Sequence, residues 1–292
     1  MSAHFDVVMV AVSYQAEEDT RRLVARVDAL VGQSLREREL QVALIIVDNS
    51  SASLQQSPYR ELSAQSIAVI TLSRGNLGYF GACRAAHEWA CEQKWSWGAW
   101  ILSNTDLEIL SRDFFSKLAE IGREARVDLA VIGPRIMSEL SGRDQNPFMR
   151  IRPSRARMGF YRWCFAWRPL AWLYQWAAIV KARLRYLRGS SSRREARAHT
   201  DREVVYAVQG AMMIYLPAWF RAGLRFDHGA FLYGEEITTA ERARRANLMI
   251  EHWPELEVKH REHGSIGLRP SSRMLNWQAE ASRFVWEAYF RS

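Results

Sequence analysis

Runs of consecutive apolar residues alternate with helically spaced apolar residues along the first half of the chain. Residues 5–14 and 41–48 are almost uniformly apolar, which is typical of strands buried on both faces of a sheet. Between them, apolar residues recur at helical spacing from position 23 to position 31. The apolar runs 67–72 and 99–102 are likewise followed by helical patterns. The alternation predicts an α/β fold with a mostly parallel sheet covered by helices on both faces.

The same kind of pattern resumes after residue 200. Strands are predicted at 204–208, 209–216, 248–251 and 257–260, and helices at 235–247 and 271–290. Pro217 is expected to open a short helix directly after the second of these strands.

Residues 148–202 interrupt the two patterned regions and carry the positive charge of the protein. The chain has a net charge of +8, and residues 150–202 hold 14 basic residues against two acidic ones, whereas the remainder holds 26 basic and 30 acidic residues. Aromatic and apolar side chains recur at helical spacing here, at Trp163, Trp167, Leu170 and Tyr174. The segment therefore predicts a basic, aromatic pair of helices with a local anionic partner.

Two structural interpretations of this insert stay open. Its longest uncharged run, residues 169–180, is shorter than the roughly 20 residues that span a bilayer, so we expect no membrane crossing. A basic helix pair with tryptophan on its apolar side suits the interface of an anionic leaflet. The alternative is a helical subdomain whose aromatics pack onto the core. The glycine- and serine-rich residues 189–194 are expected to form a loop.

The cysteines and the N-terminal residues predict the cellular compartment of the protein. The 292 residues contain three cysteines without metal-ligand spacing, which favours reduced thiols in a cytoplasmic setting. No positively charged leader precedes the first apolar run, so no export signal is expected.

Polar side chains follow two predicted strands where each strand ends. Asp48 closes the second apolar run, and Asn104 and Asp106 follow the fourth. Ligands of open α/β sheets bind at the carboxyl ends of the strands, where a carboxylate can hold a cation that bridges nucleotide phosphates. The alternative for both acids is ordinary turn and helix-capping chemistry. The sequence thus predicts a nucleotide pocket at this edge if the acids are functional.

Three further features bear on chemistry. The adjacent acids Glu235 and Glu236 suit either the first turn of a helix, complementing its dipole, or a general base. His260, at the end of a predicted strand, is either structural or a ligand. The glycines at 75, 78 and 81 have the wrong spacing for a dinucleotide fingerprint, so we expect no nicotinamide cofactor.

Taken in order, these motifs resemble those of the family 2 glycosyltransferases, especially rhamnosyltransferase-like members that extend bacterial surface polysaccharides. The resemblance covers roughly residues 5–145 and 203–268 and rests on six motifs. They are Asp48-Asn-Ser-Ser, Asn76-Leu-Gly78-Tyr-Phe-Gly, Asn104-Thr-Asp106, Gly210-Ala, Phe226-Asp with Phe231-Leu-Tyr-Gly-Glu235-Glu236, and His260 with Ser265.

The resemblance implies a GT-A type αβα sandwich with a helical basic and aromatic insert. Residues 1–147 would form the nucleotide-sugar-binding half, residues 148–202 the insert, and residues 203–292 the acceptor side with the catalytic base and a C-terminal helix. The insert would face the acceptor, or an anionic membrane through residues 150–200. The implied reaction is inverting transfer of a sugar from dTDP-rhamnose or a UDP-hexose to a glycan or lipid-linked acceptor. The enzyme would be cytoplasmic, on the inner face of the plasma membrane, and no nucleic acid is expected.

The resemblance also assigns roles to individual residues. Ser13, Tyr14, Asp48, Asn76, Gly78, Asn104 and Asp106 would bind the donor. Asp106 and His260 would hold Mg²⁺ or Mn²⁺, and Glu236, with Glu235 beside it, would be the catalytic base.

This chain departs from the family pattern at two motifs. The usual Glu-Asp-x-Asp is Glu235-Glu236-Ile237-Thr238, and Asn104 replaces the first aspartate of the commoner Asp-x-Asp. One carboxylate with substrate phosphates still suits Mg²⁺ or Mn²⁺. Two other functions remain as alternatives: a catalytically inactive scaffold with this fold, and a nucleic-acid-binding protein that uses the basic insert.

Overall fold

One sheet runs through the protein. The structure is a computed structural model, and it describes residues 3–34, 40–124, 126–187, 201–262 and 271–291. Its strands are β1 (His4–Ser13), β2 (Val42–Asp48), β3 (Ala68–Ser73), β4 (Ser96–Asn104), β5 (Leu107–Ile109), β6 (Leu129–Ser138), β7 (Glu203–Val205), β8 (Met212–Tyr215) and β9 (Met249–His260).

The order of the strands is β3-β2-β1-β4-β8-β6-β9-β5, and β7 also pairs with β9. Strands β1 to β4, β6 and β9 run in one direction, whereas β5, β7 and β8 run in the other. The parallel strand pairs are also the longest pairs in the sheet. The predicted mostly parallel α/β sheet is therefore confirmed, with β8 inserted antiparallel between β4 and β6.

The helices fill the connections between strands. They are α1 (Glu17–Ser34), α2 (Gly78–Glu92), α3 (Phe114–Glu124), α4 (Arg155–Ala166), α5 (Arg168–Leu187), α6 (Pro217–Arg221), α7 (Glu235–Arg245) and α8 (Ser272–Val285). A short 3₁₀ turn covers Leu54–Gln56, and a π-helical turn, Trp286–Phe290, follows α8.

Both faces of the sheet are buried, as the continuous apolar runs predict. Successive residues of β1 point to opposite faces: Met9 joins a core with α1 and α3, whereas Val8 and Val10 join a core with α2 and α6. The second core is rich in aromatics, with Trp100 and Trp219 fully buried. In open α/β sheets covered on both faces, ligands bind at the carboxyl ends of the strands.

The insert packs against the C-terminal helix and α7. Met158 of α4 shares a small core with Ile237 of α7, Val285 of α8 and the π-helical turn. Aromatic side chains on its other side stay in solvent: Trp163 is 60% and Trp167 is 56% exposed. The insert thus has an anchored face and an exposed aromatic face.

Sequence patterns missed part of the sheet. The two strands predicted at 248–251 and 257–260 are parts of the single strand β9, which begins one residue later, at Met249. Pro254 breaks the hydrophobic pattern, and the structure absorbs it as a bulge, because the register against β6 passes from Trp253 to Glu257. The strands β5 and β6 were not predicted. The loop expected at 189–194 lies outside the described residues, as does Ser265.

Within the described residues, no helix combines the length and hydropathy needed to span a membrane.

Candidate active site

Several predicted site residues lie along the carboxyl-terminal edge of the parallel strands. Ser13, the last residue of β1, is in register with Asp48, the last residue of β2. Asn104, the last residue of β4, is in register with Val12. Since these three strands are adjacent and parallel, their terminal side chains share one edge of the sheet.

Asp48 offers a free acceptor at this edge. Its side chain is fully buried, and Oδ1 accepts a hydrogen bond from the Ser50 amide at 2.8 Å. Oδ2 is also buried and has no partner within the described residues. A buried carboxylate oxygen without a donor is costly, so a ligand that supplies an N–H or O–H would be favoured here.

Ser13 and Tyr14 differ in what they can offer a ligand. The Ser13 hydroxyl is buried and engaged with Tyr59 Oη at 2.8 Å and Thr20 Oγ1 at 2.9 Å. Tyr14 is half-buried in the turn that follows β1. The adjacent Gln15 amide donates to Ser50 Oγ, which ties this turn to the residues after Asp48.

The turn before α2 is fixed by amide side chains and by one glycine. Asn49 accepts from the Leu77 amide at 3.3 Å and donates to the Gly78 carbonyl at 3.1 Å, while Asn76 Oδ1 accepts from the Gly78 amide. Gly78 has φ +71°, and a Cβ there would lie 2.1 Å from the Phe231 carbonyl oxygen. Gly78 therefore lets the loop before α7 close over the turn.

Asp106 and His260 form a close pair. Asp106 follows β4, His260 ends β9, and Asp106 Oδ1 lies 3.3 Å from His260 Nε2. The backbone holds the pair together, because the Arg261 amide donates to the Asp106 carbonyl and Leu107 pairs with His260. Asp106 and His260, which were predicted as metal ligands and lie 154 positions apart in the sequence, are thus brought into contact.

This pair fits one small divalent cation. Metal–ligand distances of about 2.1 Å let a single ion reach an oxygen and a nitrogen that are 3.3 Å apart. Among the described residues, no group of three or more histidine, cysteine, aspartate or glutamate side chains is arranged to hold a metal. The protein would therefore supply two ligands, and substrate oxygens or water the rest.

The two adjacent glutamates at the start of α7 differ in exposure. Glu235 is 5% exposed, and its Oε1 has no partner within the described residues. Burial, and then the neighbouring Glu236, raise the pKa of Glu235 to about 8. Glu236 is half-buried and accepts from the Gly210 amide at 3.3 Å, and burial raises its pKa as well.

Gly210 connects these acids to the strand edge. A Cβ at Gly210 would lie 2.7 Å from Glu236 Oε1, so the glycine admits the carboxylate. The Tyr79 hydroxyl donates to the Gly210 carbonyl at 2.7 Å. The next carbonyl, of Ala211, accepts from the Asn104 amide at 2.9 Å. Glu236 is therefore linked through two residues to Asn104 and so to the end of β4.

Four residues of this region were not predicted as contributors. Asn49 and Tyr79 lie inside two of the motifs used for the family resemblance. Their amide and hydroxyl side chains, which can form hydrogen bonds, were the features that could have marked them as contributors. Gln145 and Glu262 contact His260 directly or through one another. No local pattern marks them, because their partners come from β6 and β9.

A separate groove of about 580 Å³ lies between α4 and α8. Its walls include Arg162, Trp163 and Arg283. It is distinct from the strand edge that carries Asp48 and Asp106.

Comparisons with known proteins identify the architecture. No protein-family description matches the chain, and no curated protein matches it in sequence. The chain is similar in structure to GalNAc-T7, whose crystal structure contains UDP, GalNAc and Mn²⁺, with a TM-score of 0.54 and 14% identity. The fold is of the GT-A type. The similarity covers 97% of this chain and 48% of the GalNAc-T7 chain, so this chain spans about half of that protein's length.

Proposed function

We propose that this protein is an inverting glycosyltransferase that moves a sugar from a nucleotide-sugar donor to a glycan or lipid-linked acceptor. The observation that carries the proposal is the arrangement of Asp48, Asp106 and Glu236. Asp48 ends β2 and Asp106 follows β4, the two strands that flank β1, and Glu236 is linked to this edge through Gly210 and Asn104. The GT-A fold and the UDP bound by GalNAc-T7 support a nucleotide-sugar donor.

Glu236 is proposed as the catalytic base. It would accept the proton of the acceptor hydroxyl while that oxygen bonds to the anomeric carbon, and the bond from this carbon to the diphosphate oxygen breaks. The single displacement inverts the anomeric centre and releases the nucleoside diphosphate. Burial raises the pKa of Glu236, which makes its carboxylate a stronger base. Glu235, deeper in the protein, would act beside it.

The donor would lie along the strand edge. Asp48 would accept a hydrogen bond from the nucleoside through its unpartnered Oδ2, with Ser13 and Tyr14 beside the base. The turn of Asn76 and Gly78 would border the sugar. Donor candidates are dTDP-rhamnose and UDP-hexoses, as the family resemblance implies.

Asp106 and His260 would hold Mg²⁺ or Mn²⁺, with Asn104 nearby as a polar contact to the diphosphate. When bound, the cation would neutralise the charge of the departing diphosphate. The Mn²⁺ present with GalNAc-T7 supports a metal in this fold.

The direct test is donor turnover. We expect the wild type to transfer or hydrolyse the sugar of one member of a panel of dTDP-rhamnose and UDP-hexoses with Mn²⁺, and NMR of the product to show an inverted anomeric centre. Glu236→Gln should lower the rate by about 10²- to 10⁴-fold. Glu61→Gln is the matched control, because the Glu61 side chain is 83% exposed and pairs with Arg60 at the surface.

A catalytically inactive scaffold is the second candidate. It is favoured by the single carboxylate in Asn104-Thr-Asp106 and by the lack of a three-ligand cluster among the described residues. Nucleotide binding without turnover of any donor in the panel would support the scaffold. Equal rates for wild type and Glu236→Gln would refute Glu236 as the base.

The lipid-linked acceptor is proposed from the exposed face of the insert, which would place the enzyme on the inner face of the plasma membrane. Its large apolar side chains in solvent are Ile151, Phe160, Trp163, Trp167, Leu173, Tyr174 and Trp176. Arg162 and Arg168 lie among them in the sequence, so an anionic leaflet matches both the charge and the aromatics.

Liposome flotation tests this docking. Wild type should float with anionic vesicles more than with neutral ones, and Trp163→Ser with Trp167→Ser should reduce recovery several-fold. Leu140→Ser is the control, because Leu140 is similarly exposed, at 48%, in the turn after β6. Equal recovery of all variants, or equal recovery with both lipids, would contradict a membrane partner.

A further inference from the structure

The hydrogen bonds around His260 extend beyond Asp106. His260 Nδ1 lies 2.8 Å from Gln145 Oε1. Gln145 Nε2 donates to Glu262 Oε1 at 2.5 Å, and Ser138 Oγ donates to Glu262 Oε2 at 2.6 Å. The result is a continuous chain of contacts from Ser138 to Asp106.

The direction of each hydrogen bond in this chain follows from Glu262. An ionised carboxylate only accepts, so Gln145 must turn its amide nitrogen toward Glu262. Its carbonyl oxygen then faces His260 and needs a donor. The hydrogen of the neutral imidazole must therefore sit on Nδ1.

The other ring nitrogen is left as an acceptor. With the hydrogen on Nδ1, the lone pair of Nε2 faces Asp106 Oδ1 at 3.3 Å. Two acceptors at this distance repel one another unless they share a cation. Hydrogen bonds from the far nitrogen of a histidine fix its tautomer and ring orientation in metal sites.

The geometry points to Gln145 as a positioning residue: held by Glu262, it fixes His260 so that Nε2 is presented to a divalent cation shared with Asp106. The inference rests on the proposed function, because it deepens the metal site assigned there. It adds that the metal affinity depends on Gln145 and Glu262, neither of which contacts the ion.

The backbone around the network is well anchored. The Gln145 amide donates to the Ile136 carbonyl at 2.8 Å, which ties it to β6. The Glu139 amide donates to the His260 carbonyl at 2.9 Å. Glu262 has φ 57°, a left-handed conformation that is uncommon for residues other than glycine and that concentrates at functional sites.

A purely structural ion pair is the competing explanation. A protonated His260 beside Asp106 would satisfy the same distances without any metal. The two explanations differ in one measurable property: only the positioning role makes divalent-cation affinity depend on Gln145.

The test measures Mn²⁺ binding by electron paramagnetic resonance, with UDP and with dTDP, and does not require turnover. Gln145→Leu keeps the size of the side chain but cannot accept from Nδ1, and we expect about 10- to 100-fold weaker binding. Gln175→Leu is the matched control, because Gln175 bonds Gln278 between α5 and α8. Its affinity should equal that of the wild type.

An exchange of the two side chains supplies the rescue. In the double variant Gln145→Glu with Glu262→Gln, the carboxylate at position 145 accepts a hydrogen bond from His260 Nδ1, and the amide at position 262 donates one to that carboxylate. The Mn²⁺ affinity should therefore return to within a few-fold of wild type. Glu262→Gln alone keeps the shape of the site but lets Gln145 turn over, so it should also weaken binding. This isosteric variant decides the question if Gln145→Leu does not fold.

Nitrogen NMR of ¹⁵N-histidine-labelled protein gives the second readout. Mg²⁺ should shift the Nε2 resonance of His260 in the wild type, with Nδ1 remaining protonated, and should leave it unshifted in Gln145→Leu. Unchanged Mn²⁺ affinity in folded Gln145→Leu and Glu262→Gln, or no Mn²⁺ binding by the wild type, would overturn the inference. Failure of the wild type to turn over any donor would instead refute the proposed function, and the metal measurements would be unaffected.

Discussion

The ion pair between Arg152 and Glu241 fastens the insert to the helix that carries Glu236. Glu241 is fully buried on α7, and Arg152, just before α4, donates to it through Nε at 2.6 Å and Nη2 at 3.3 Å. Arg244 and the Tyr206 hydroxyl also donate to this carboxylate. Removal of Arg152 therefore leaves a buried charge with fewer donors.

Arg152→Met should destabilise the protein by about 3 kcal/mol. A hydrogen bond to a charged group contributes about 1.5–3 kcal/mol, and Arg152 makes one short bond and one long bond to Glu241. Loss of its stacking over the Phe290 ring, at 4.5 Å, adds about 0.5–1 kcal/mol. The donors that remain from Arg244 and Tyr206 keep the loss below the roughly 3–5 kcal/mol typical of a fully broken buried pair.

The assay is urea denaturation at pH 7.5, followed by circular dichroism. Arg60→Met is the matched control, because Arg60 pairs with Glu61, which is 83% exposed, and the expected loss there is at most about 0.5 kcal/mol. In a double-mutant cycle, Arg152→Met with Glu241→Met should be less destabilised than the sum of the single variants by about 1–3 kcal/mol. Additive losses, or a loss below about 1 kcal/mol for Arg152→Met, would refute the reasoning.

The pair also predicts a pH dependence. Burial acts to raise the pKa of Glu241, but the hydrogen bonds from Arg152, Arg244 and Tyr206 outweigh it and hold the pKa below its ordinary value of 4.5. A depressed carboxyl pKa stabilises the folded protein above the unfolded-state value and loses this effect as the pH falls through the folded-state value. The stability advantage of the wild type over Arg152→Met should therefore be present at neutral pH and shrink as the pH falls below about 4.5.

Three further predictions concern the strand edge and α7. Burial and Glu236 raise the pKa of Glu235 to about 8, so between pH 4.5 and about 8 the folded protein keeps a proton that the unfolded chain loses, and the fold loses stability as the pH rises through this window; Glu235→Gln should therefore raise the melting temperature at pH 8 and change it little at pH 4.5. Equal gains at both pH values would contradict this. Gly78→Ala should lower the melting temperature by several degrees, because its Cβ would meet the Phe231 carbonyl at 2.1 Å and its φ is +71°. Asp48→Asn should weaken UDP or dTDP binding by about 10- to 100-fold in calorimetry, and unchanged affinity would exclude a nucleoside contact.

The sequence by itself determined the layers of the fold and the positions of several polar groups. Continuous apolar runs require burial on both faces, and helical spacing between them supplies the covering helices. Asp48 and Asn104 could be assigned to strand ends because a strand's end is visible where its apolar run stops. These are local properties of the sequence, so they can be recognised without knowing which strands pair with one another.

Only the tertiary structure decided how the second half of the chain completes the site. β8 enters antiparallel between β4 and β6, and this pairing sets the Ala211 carbonyl against the Asn104 amide and Gly210 against Glu236. Hydrophobic periodicity reports that a strand is buried but carries no information about its neighbour or direction. The role of Gln145 could not be predicted for the same reason. It depends on the pairing of β6 with β9, two strands that lie more than a hundred residues apart in the sequence.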